Sequence, residues 1–425
     1  MVVVHRLPSL PTDEPRAHHI GNPPSGFRNP WPSFDEAHGG VLDILKVRFA
    51  RHRPAFVPVP ERSELVPVRK IDFAQLKGKG GPAPGLKVTW FGHASFLVQT
   101  ATASADEVEE GARRRGVNIL CDPVFSDRTS PVHWAGPKRY TPTPCSLDEL
   151  LESVEIDLVL ISHNHYDHAD AHTLTAIWAR RKPHVHFLAG LHNARWLISA
   201  CGIDPSCITE LDWWDRVEVE VEAEAEAVGA EAHAGNEAGT TTPTPAKVQI
   251  TCTPTQHFSS RSIFDRNHDL WCSYAIQDRD HERGGSEGVP GKKVYFAGDT
   301  AYRSIPSAGL SHEEEDERPT CPAFKQIGER LGPFDLALLP IGLCEPRQFM
   351  SNVHANSWDS IRIHHDIRSK KSIGMHWGTV RGGLSAQYED VRTPPRHWRQ
   401  AAEEAGLSWG EEIGLMDVGQ TLVLA

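Results

Sequence analysis

The feature that most constrains the fold of this chain is the segment HNHYDH at residues 163–168. It follows directly on the apolar run IDLVLIS, which is typical of a buried β-strand. Side chains of metal-binding type at spacings of two, two and one converge only if the strand ends and the chain curls into a loop. The sequence therefore predicts a metal-binding loop at the carboxyl end of a strand, with a solvated histidine loop as the alternative for this segment alone. The candidate ligands are His163, His165, Asp167 and His168.

The same arrangement recurs after three later β-type runs. His257 ends KVQITCTPTQH, Asp299 ends KKVYFAGD and His376 ends KKSIGMH. Four strand ends would then present histidines and aspartates at one edge of a sheet system, as a two-metal site requires. Imidazole nitrogens with few carboxylates favour Zn²⁺ over Mg²⁺ or Ca²⁺, and they leave Fe or Mn open. We therefore predict two Zn²⁺ per chain, which would activate a bridging water as the nucleophile.

The order of the remaining elements indicates an α/β protein. From Leu86 onward, short β-rich runs alternate with helical candidates. These candidates lie at residues 172–181, 192–201, 323–331 and 357–367. Residues 1–85 are instead rich in Pro and Gly, and they predict an N-terminal arm and linker in front of a main domain at 86–425.

The formal net charge of −12 is concentrated in two acidic segments. Residues 217–246 hold seven acidic and no basic side chains, and residues 312–318 hold five acids and one arginine. The rest of the chain is close to neutral and has no polybasic stripe to follow a phosphate backbone, so we expect no nucleic-acid partner. We interpret the acidic segments, near 221–246 and 303–320, as solvated insertions between core elements.

Eight cysteines without a CxxC pair indicate a reduced, intracellular protein. The N-terminal residues show neither the apolar stretch of a secretory signal nor an Arg-rich amphipathic pattern, and mitochondrial or other organelle targeting stays open. The longest nearly apolar runs, 156–161 and 334–343, are far shorter than the roughly 18 residues of a membrane span. We therefore expect a chain that does not span a membrane.

Two competing motifs carry less weight. Residues 284–288 match GxSxG, but no apolar strand precedes them and no helix follows, so the geometry of a nucleophile elbow is absent. His364 and His365 fall on an amphipathic helix, where we expect surface positions for both.

The ligand order, HxHxDH followed by His, Asp and His, resembles the metallo-β-lactamase superfamily. Longer phrases narrow the resemblance to the N-acyl-phosphatidylethanolamine-hydrolysing phospholipases D. Among these phrases are FRNPWPSF, VTWFGHASFLV, LISHNHYDH and CPAFKQIGERLGPFDLALLPIG, which follow in order across residues 27 to about 380. The resemblance implies that residues 86–425 form a hydrolase domain of the α/β class with the metallo-β-lactamase fold, an αβ/βα sandwich of two mixed sheets flanked by helices.

The resemblance also implies how the ligands divide between the metals. One zinc ion would be held by His163, His165 and His257. The other would be held by Asp167, His168 and His376. Asp299 would bridge the two ions, and the implied catalytic set is Asp299, Asp167 and His354.

Two further residues receive roles from the resemblance. Asp122, in LCDPVFSD, would orient the ligands without touching a metal. His354, in MSNVH, would bind the substrate near its phosphate. Without the resemblance, Asp122 would be an ordinary loop residue and His354 a surface one.

The implied activity is that of a phosphodiesterase, in which metal-bound hydroxide attacks phosphorus and cleaves N-acyl-phosphatidylethanolamine to phosphatidate and an N-acylethanolamine. The resemblance also implies that the protein is a homodimer that binds a membrane surface peripherally. This membrane would supply the phospholipid substrate. Two alternatives stay open. One is another hydrolase on this fold, a lactonase or a nucleic-acid phosphodiesterase; the other is a metal-stabilised interaction protein. The complete set of seven ligands argues against the interaction protein.

Overall fold

The computed structural model describes residues 1–12, 14–37, 55–77, 85–101, 116–132, 134–222, 245–279, 291–382 and 384–424. Two segments discussed above lie outside the described residues, namely the GxSxG match at 284–288 and most of the first acidic segment, 223–244. The predicted linker is also outside them between residues 78 and 84.

The larger sheet has eight strands and combines antiparallel and parallel pairing. From one edge of this sheet, the first four pairs of neighbouring strands are antiparallel and the fifth pair is parallel. In spatial order its strands are β1 (Val2–Leu7), β10 (Arg216–Val221), β11 (Ala246–Thr253), β12 (Ser273–Asp278), β13 (Lys293–Phe296), β14 (Leu336–Pro340), β15 (Ser372–Met375) and β16 (Ile413–Gly414).

The second sheet has seven strands and is also mixed. In spatial order its strands are β17 (Thr421–Leu424), β4 (Leu86–Gly92), β5 (Ser95–Gln99), β6 (Asn118–Cys121), β7 (Leu158–Ile161), β8 (His186–Gly190) and β9 (Ile208–Leu211). A short hairpin of β2 (His19–Ile20) and β3 (Gly26–Phe27) stands apart from both large sheets.

Ten α-helices lie in the described part of the chain. They are α1 (Phe73–Leu76), α2 (Leu147–Ser153), α3 (Ala171–Arg181), α4 (Ala194–Cys201), α5 (His312–Asp316), α6 (Ala323–Arg330), α7 (Arg347–Met350), α8 (Ser357–Asp366), α9 (Ser385–Tyr388) and α10 (Thr393–Glu404). The four predicted helical segments are confirmed as α3, α4, α6 and α8, with ends that differ by no more than two residues.

The apolar side chains explain the layered arrangement. In β10 the valines at 217, 219 and 221 point into the core, while the intervening glutamates face away, so this strand presents one apolar face. One core cluster fills the space between the two large sheets, and a second lies between the seven-stranded sheet and helices α3 and α4. Helix α8 packs on β14 of the other sheet. The predicted sandwich of two mixed sheets flanked by helices is therefore confirmed.

Strand direction determines where the site lies. In the seven-stranded sheet, β4, β6 and β7 run in the same direction, because β4 and β6 are both antiparallel to β5 and β7 is parallel to β6. In the other sheet, β11, β13 and β15 share one direction for the same kind of reason. Within each sheet, the loops after these three strands therefore emerge at the same edge.

The N-terminal arm is part of this architecture. Strand β1 pairs with β10 in antiparallel register, with Val4 opposite Val219. Further along, Asn29 donates a hydrogen bond to the carbonyl of His257 at 2.8 Å, and Ser33 donates to Gln256 at 2.6 Å. The sequence did not predict these contacts, and the boundary between residues 85 and 86 stays a prediction.

The second acidic segment is not simply solvated, which corrects our interpretation of residues 303–320. Helix α5 begins with a capping box at Ser311, and Glu315 on this helix is buried. The Glu315 carboxylate lies 2.8 Å from Arg347, whose guanidinium also contacts Asp359 at 2.9 Å. Ion pairing thus compensates for the desolvation of a buried carboxylate and attaches this segment to helix α8.

Helix α8 requires a second correction. His364 is buried and its Nδ1 lies 2.8 Å from Ser372 Oγ, so the expected surface position is wrong for this residue. His365, next to it, is exposed as expected. Across the described ranges, no helix combines the length and apolar character that a membrane crossing requires.

Candidate metal centre

Six strand ends supply the candidate site. Three belong to the seven-stranded sheet, since His93 follows β4, Asp122 follows β6 and the loop 163–168 follows β7. The other three belong to the eight-stranded sheet, and they are followed by His257, Asp299 and His376. The structure therefore brings together all seven ligands predicted from the sequence, with donor atoms clustered at the shared edge of the two sheets.

The backbone turns sharply at several of these positions. His93, Asp122 and His376 have φ values of 53°, 39° and 62°, a region that residues other than glycine rarely occupy. Gly298, which precedes Asp299, has a φ of 57°, and a Cβ atom there would lie 2.6 Å from the Cβ of Ser162. Such backbone conformations persist only where surrounding contacts hold them, and they are concentrated at functional sites.

Asp299 lies at the centre of the cluster, and its two oxygens face different ligands. Oδ2 is 3.2 Å from His168 Nε2 and 3.7 Å from His257 Nε2. The same oxygen is 3.8 Å from His163 Nε2, whereas Oδ1 is 3.0 Å from His376 Nε2. Oδ1 thus faces one side of the cluster, and Oδ2 lies between the two sides, which places the carboxylate where a bridging ligand would lie.

The donor atoms form two groups around this carboxylate, and each group fits within 4.8 Å. One contains His163, His165, His257 and Asp299. The other contains His93, Asp167, His168 and His376. This division matches the ligand sets implied by the resemblance, with His93 as an additional member.

The hydrogen bonds on the far side of the imidazole rings determine what these rings offer to the centre. His257 Nδ1 lies 2.8 Å from the carbonyl of Val353, which accepts only, so Nδ1 carries the proton. His168 Nδ1 lies 2.7 Å from a carboxylate oxygen of Asp122, which assigns its proton in the same way. Burial keeps the His257 ring neutral, so its Nε2 presents a lone pair toward Asp299. Burial also disfavours charge on His168, but Asp299 and Asp167 raise its pKa well above the ordinary value, so without a metal ion its Nε2 holds a proton where a cation would bind. The residues therefore fit a metal centre.

The pKa shifts agree with this conclusion. Burial lowers the pKa of His257 to about 3 and that of His165 to about 4, so both rings are neutral at physiological pH. Burial opposes the charged form of Asp299, but His168 and His376 hold its pKa well below the usual range. The neutral rings of His165 and His257, together with an ionised carboxylate, are donors of the kind that a divalent transition metal takes.

His376 shows that the centre attracts positive charge. Burial disfavours its protonated form, yet Asp299 and a hydrogen bond with Asp167 raise its pKa to about 9. A proton on Nε2 and a metal ion compete for the same lone pair. A bound cation would therefore take the place of this proton.

Asp122 contacts the ligands from behind, as the resemblance implied. Its two oxygens accept hydrogen bonds from Ser162 N and Oγ at 2.7 and 2.5 Å, in addition to the bond with His168. The side chain is fully buried, and burial raises its pKa. Its position is suited to orienting His168.

His354 also lies against the cluster. Its ring is 5.3 Å from the rings of both His257 and His376, and its Nδ1 is 3.9 Å from Asp299 Oδ2. This Nδ1 is buried and has no hydrogen-bond partner among the described residues. A buried polar atom of this kind beside the centre is available to a ligand.

His93 is the site residue that the sequence analysis missed. It is fully buried, and its Nε2 lies 3.0 Å from Asp167 Oδ2. Its carbonyl also accepts a hydrogen bond from His376 N at 3.1 Å. The signal was present in the sequence, because His93 ends the β-type run KVTWFGH in the same way as His257 and His376 end theirs.

Comparisons with known proteins identify the class of protein to which this chain belongs. A family model described as a beta-lactamase superfamily domain matches residues 117–377. Together with two helix-flanked sheets and a His/Asp centre at their common edge, this match defines a metal-dependent hydrolase of the metallo-β-lactamase fold. A metallo hydrolase from Ignicoccus hospitalis is 21% identical, with a TM-score of 0.44 over 80% of this chain and 98% of that chain.

Relatives with higher sequence identity indicate the family within this superfamily. The N-acyl-phosphatidylethanolamine-hydrolyzing phospholipase D 1 of Caenorhabditis elegans is 31% identical over 384 residues, which are 89% of this chain and 87% of that protein. The mitochondrial enzyme of the same description from Saccharomyces cerevisiae is 28% identical over 64% of this chain and 46% of its own length. The chain belongs to this phospholipase D family within the beta-lactamase superfamily.

Proposed function

We propose that this protein is a zinc-dependent phosphodiesterase that hydrolyses N-acyl-phosphatidylethanolamine to phosphatidate and an N-acylethanolamine. The observation that carries the proposal is the convergence of seven His and Asp ligands in a chain similar over most of its length to a protein named for this reaction. The set is complete, which favours an enzyme over a metal-stabilised scaffold.

We propose two Zn²⁺ per chain, held by the two ligand groups with Asp299 between them. Six nitrogen or carboxylate ligands besides the bridge suit zinc better than Mg²⁺ or Ca²⁺, whose shells consist of oxygen. When bound, two such ions polarise a phosphoryl oxygen and lower the pKa of water held between them.

The residues of this chain have separate tasks in the proposed reaction. Asp299 contacts both ligand groups, since its Oδ2 lies 3.7 Å from His257 in one group and its Oδ1 lies 3.0 Å from His376 in the other. Asp167, bonded to His93, remains ionised and in place as a ligand. His354 offers its unpartnered Nδ1 beside Asp299, where it would bind an oxygen of the substrate phosphate or assist departure of the alkoxide.

The proposed substrate indicates where the protein would act. A diester with long acyl chains resides in a bilayer, so we propose that the protein works at a membrane surface, inside the cell, as a peripheral protein. We also propose a homodimer, by similarity to the family, and no nucleic-acid partner.

The experiment is hydrolysis of N-acyl-phosphatidylethanolamine by the purified protein in ¹⁸O-water. Attack on phosphorus places the label in phosphatidate, whereas cleavage of the carbon–oxygen bond places it in the ethanolamide. Elemental analysis of the same preparation counts the metals. Absence of turnover beside rapid hydrolysis of a lactone would assign the protein to the lactonase alternative, and label in the ethanolamide would refute attack on phosphorus.

A further inference from the structure

Two adjacent apolar side chains are displayed on a loop between β11 and β12. Ile263 and Phe264 are each 82% exposed, the highest exposed fraction among large hydrophobic residues in the described chain, shared only with Trp134. A single exposed apolar residue is ordinary, but consecutive large ones this exposed indicate a surface that is covered in use.

Hydrogen bonds within the loop hold Ile263 and Phe264 in their exposed positions. Asp265 Oδ1 accepts hydrogen bonds from the backbone N–H groups of Arg261 and Ser262 at 3.0 and 2.8 Å. Ser262 Oγ accepts a further bond from Phe264 N at 3.2 Å. These bonds close a tight turn with Ile263 and Phe264 at its tip, where neither side chain packs on the protein.

The same loop is fixed to the metal-ligand loop. Arg261 donates hydrogen bonds to the carbonyls of Asn164 and Ala169 at 2.8 and 2.9 Å, and its guanidinium lies over the Tyr166 ring at 4.1 Å. The hydroxyl of Tyr166 donates to the Arg261 carbonyl at 2.9 Å. The apolar tip is therefore held in a constant position relative to residues 163–168.

This position is on the open side of the metal centre. Most predicted ligands are buried, but His165 and Asp167 retain partial exposure. The ring of Phe258 lies 4.4 Å from that of His165, and Arg266 lies over the Phe258 ring at 4.2 Å. The route to the ligands from solvent and the apolar tip thus share one face of the molecule.

Charge on this face favours an anionic surface. Two arginines, Arg266 and Arg28, and one acidic residue, Glu36, line a groove of about 490 Å³, whose walls also include Ile20, 47% exposed, and Phe27. An apolar tip with arginines behind it matches the layers of a phospholipid surface, acyl chains below phosphate headgroups.

We propose that the loop of residues 260–266 docks the protein on an anionic phospholipid surface, with Ile263 and Phe264 among the acyl chains and Arg266 at the phosphates. This proposal deepens the proposed function and rests on it, because the need for a lipid surface at this face follows from the proposed lipid substrate. Docking would place the open side of the metal centre against the surface that holds the substrate.

The test is sedimentation with vesicles of phosphatidylcholine and phosphatidylglycerol that contain no substrate, so that docking is measured without turnover. We expect the double variant Ile263→Ser, Phe264→Ser to bind about tenfold more weakly or worse, since two buried apolar side chains are lost. Its melting temperature and metal content should equal those of the parent protein. The matched control, Phe56→Ser, removes an apolar side chain that is 66% exposed elsewhere and should bind normally.

Charge is tested with a second variant. Arg266→Gln should weaken binding to vesicles that contain phosphatidylglycerol and leave binding to pure phosphatidylcholine unchanged, because only the former carry net negative charge. Equal loss on both vesicles would refute the headgroup contact.

Three outcomes would overturn the docking proposal. The first is full vesicle binding by the double variant, and the second is an equal loss of vesicle binding in Phe56→Ser. The third is a double variant that changes from a dimer into a monomer and still binds vesicles, which would show that the tip contacts a second copy of the chain. Loss of vesicle binding by the double variant, in a protein that does not hydrolyse N-acyl-phosphatidylethanolamine, would support docking and refute the proposed function alone.

Discussion

Asp122 accepts a hydrogen bond from His168 Nδ1 at 2.7 Å, and this bond directs the Nε2 atom of His168 toward Asp299, 3.2 Å away. The carboxylate thus determines the tautomer of the imidazole. Carboxylates that hold an imidazole from behind in this way are known to orient the ligands of metal sites.

The variant Asp122→Asn tests this arrangement. The asparagine amide would donate to His168 Nδ1, which moves the imidazole proton to Nε2 and removes the lone pair that faces the centre. We expect metal affinity to fall roughly 10–100-fold, measured by competition with a chelator. Asp148→Asn, an exposed change of the same chemistry, should leave affinity unchanged. Unaltered affinity in Asp122→Asn would show that the tautomer is fixed by another contact.

Asp299→Asn should affect both metals together. The carboxylate faces His257 of one group with Oδ2 and His376 of the other group with Oδ1, so its replacement removes a ligand from both sides. We expect fewer than one metal per chain by elemental analysis and no turnover. The comparison variant, His165→Ala, removes one ligand from one side and should retain close to one metal. An active Asp299→Asn protein with two metals would mean that another residue bridges.

The sequence predicted the centre well because each ligand has a local signal. His257, Asp299 and His376 stand at the ends of β-type runs, and strand ends of common direction meet at one edge. His93 carries the same strand-end signal as His257 and His376, but the sequence prediction did not include it. Its role depends on contact with Asp167, which lies 74 residues away in the chain.

Long-range pairing explains what the sequence did not predict. Strand β1 finds its partner more than 200 residues later, and no local pattern in VVVHRL specifies Val219 as the neighbour of Val4. Glu315 belongs to an acidic run, a pattern typical of a solvated face. Only the folded chain brings Arg347 within 2.8 Å of it.

The buried ion pair of helix α5 is tested by a matched pair of substitutions. Glu315→Gln removes the charge that faces Arg347, whereas Glu313→Gln changes an exposed glutamate on the same helix. We expect Glu315→Gln to reduce the free energy of unfolding by roughly 2 kcal/mol or more, and Glu313→Gln to change it by at most about 0.5 kcal/mol. Urea denaturation measures both. Equal effects would restore the interpretation of this segment as solvated.

Acid sensitivity is predicted for His186 on β8, which lies away from the metal centre. Burial lowers its pKa from 6.5 to about 4, and its Nε2 is 2.8 Å from Thr209 Oγ1. Because the unfolded chain takes up this proton more readily, the free energy of unfolding falls as the pH drops from 6.5 to about 4. The contribution is roughly 3 kcal/mol.

The variant His186→Gln keeps a hydrogen-bonding side chain and removes the titration. Its stability should depend less on pH in this window than that of the parent protein, while the metal centre contributes equally to both. His184→Gln, at an exposed position, should reproduce the parent profile. Unfolding measured at a series of pH values decides the question, and parallel profiles for His186→Gln and the parent would contradict the prediction.

The last prediction concerns residues 223–244, for which the sequence predicts a solvated insertion. The strands on either side are already paired, with Val221 opposite Ala246, so a short connection suffices to close this hairpin. Replacement of 223–244 by Asn-Gly, a dipeptide favoured in tight hairpin turns, should preserve fold and metal content. Stability should rise by roughly 2 kcal/mol, since a shorter loop loses less entropy on closure. A Gly/Ser segment of the original length separates length from sequence and should match the parent in thermal unfolding. Failure of both variants to fold would show that residues 223–244 pack on the protein.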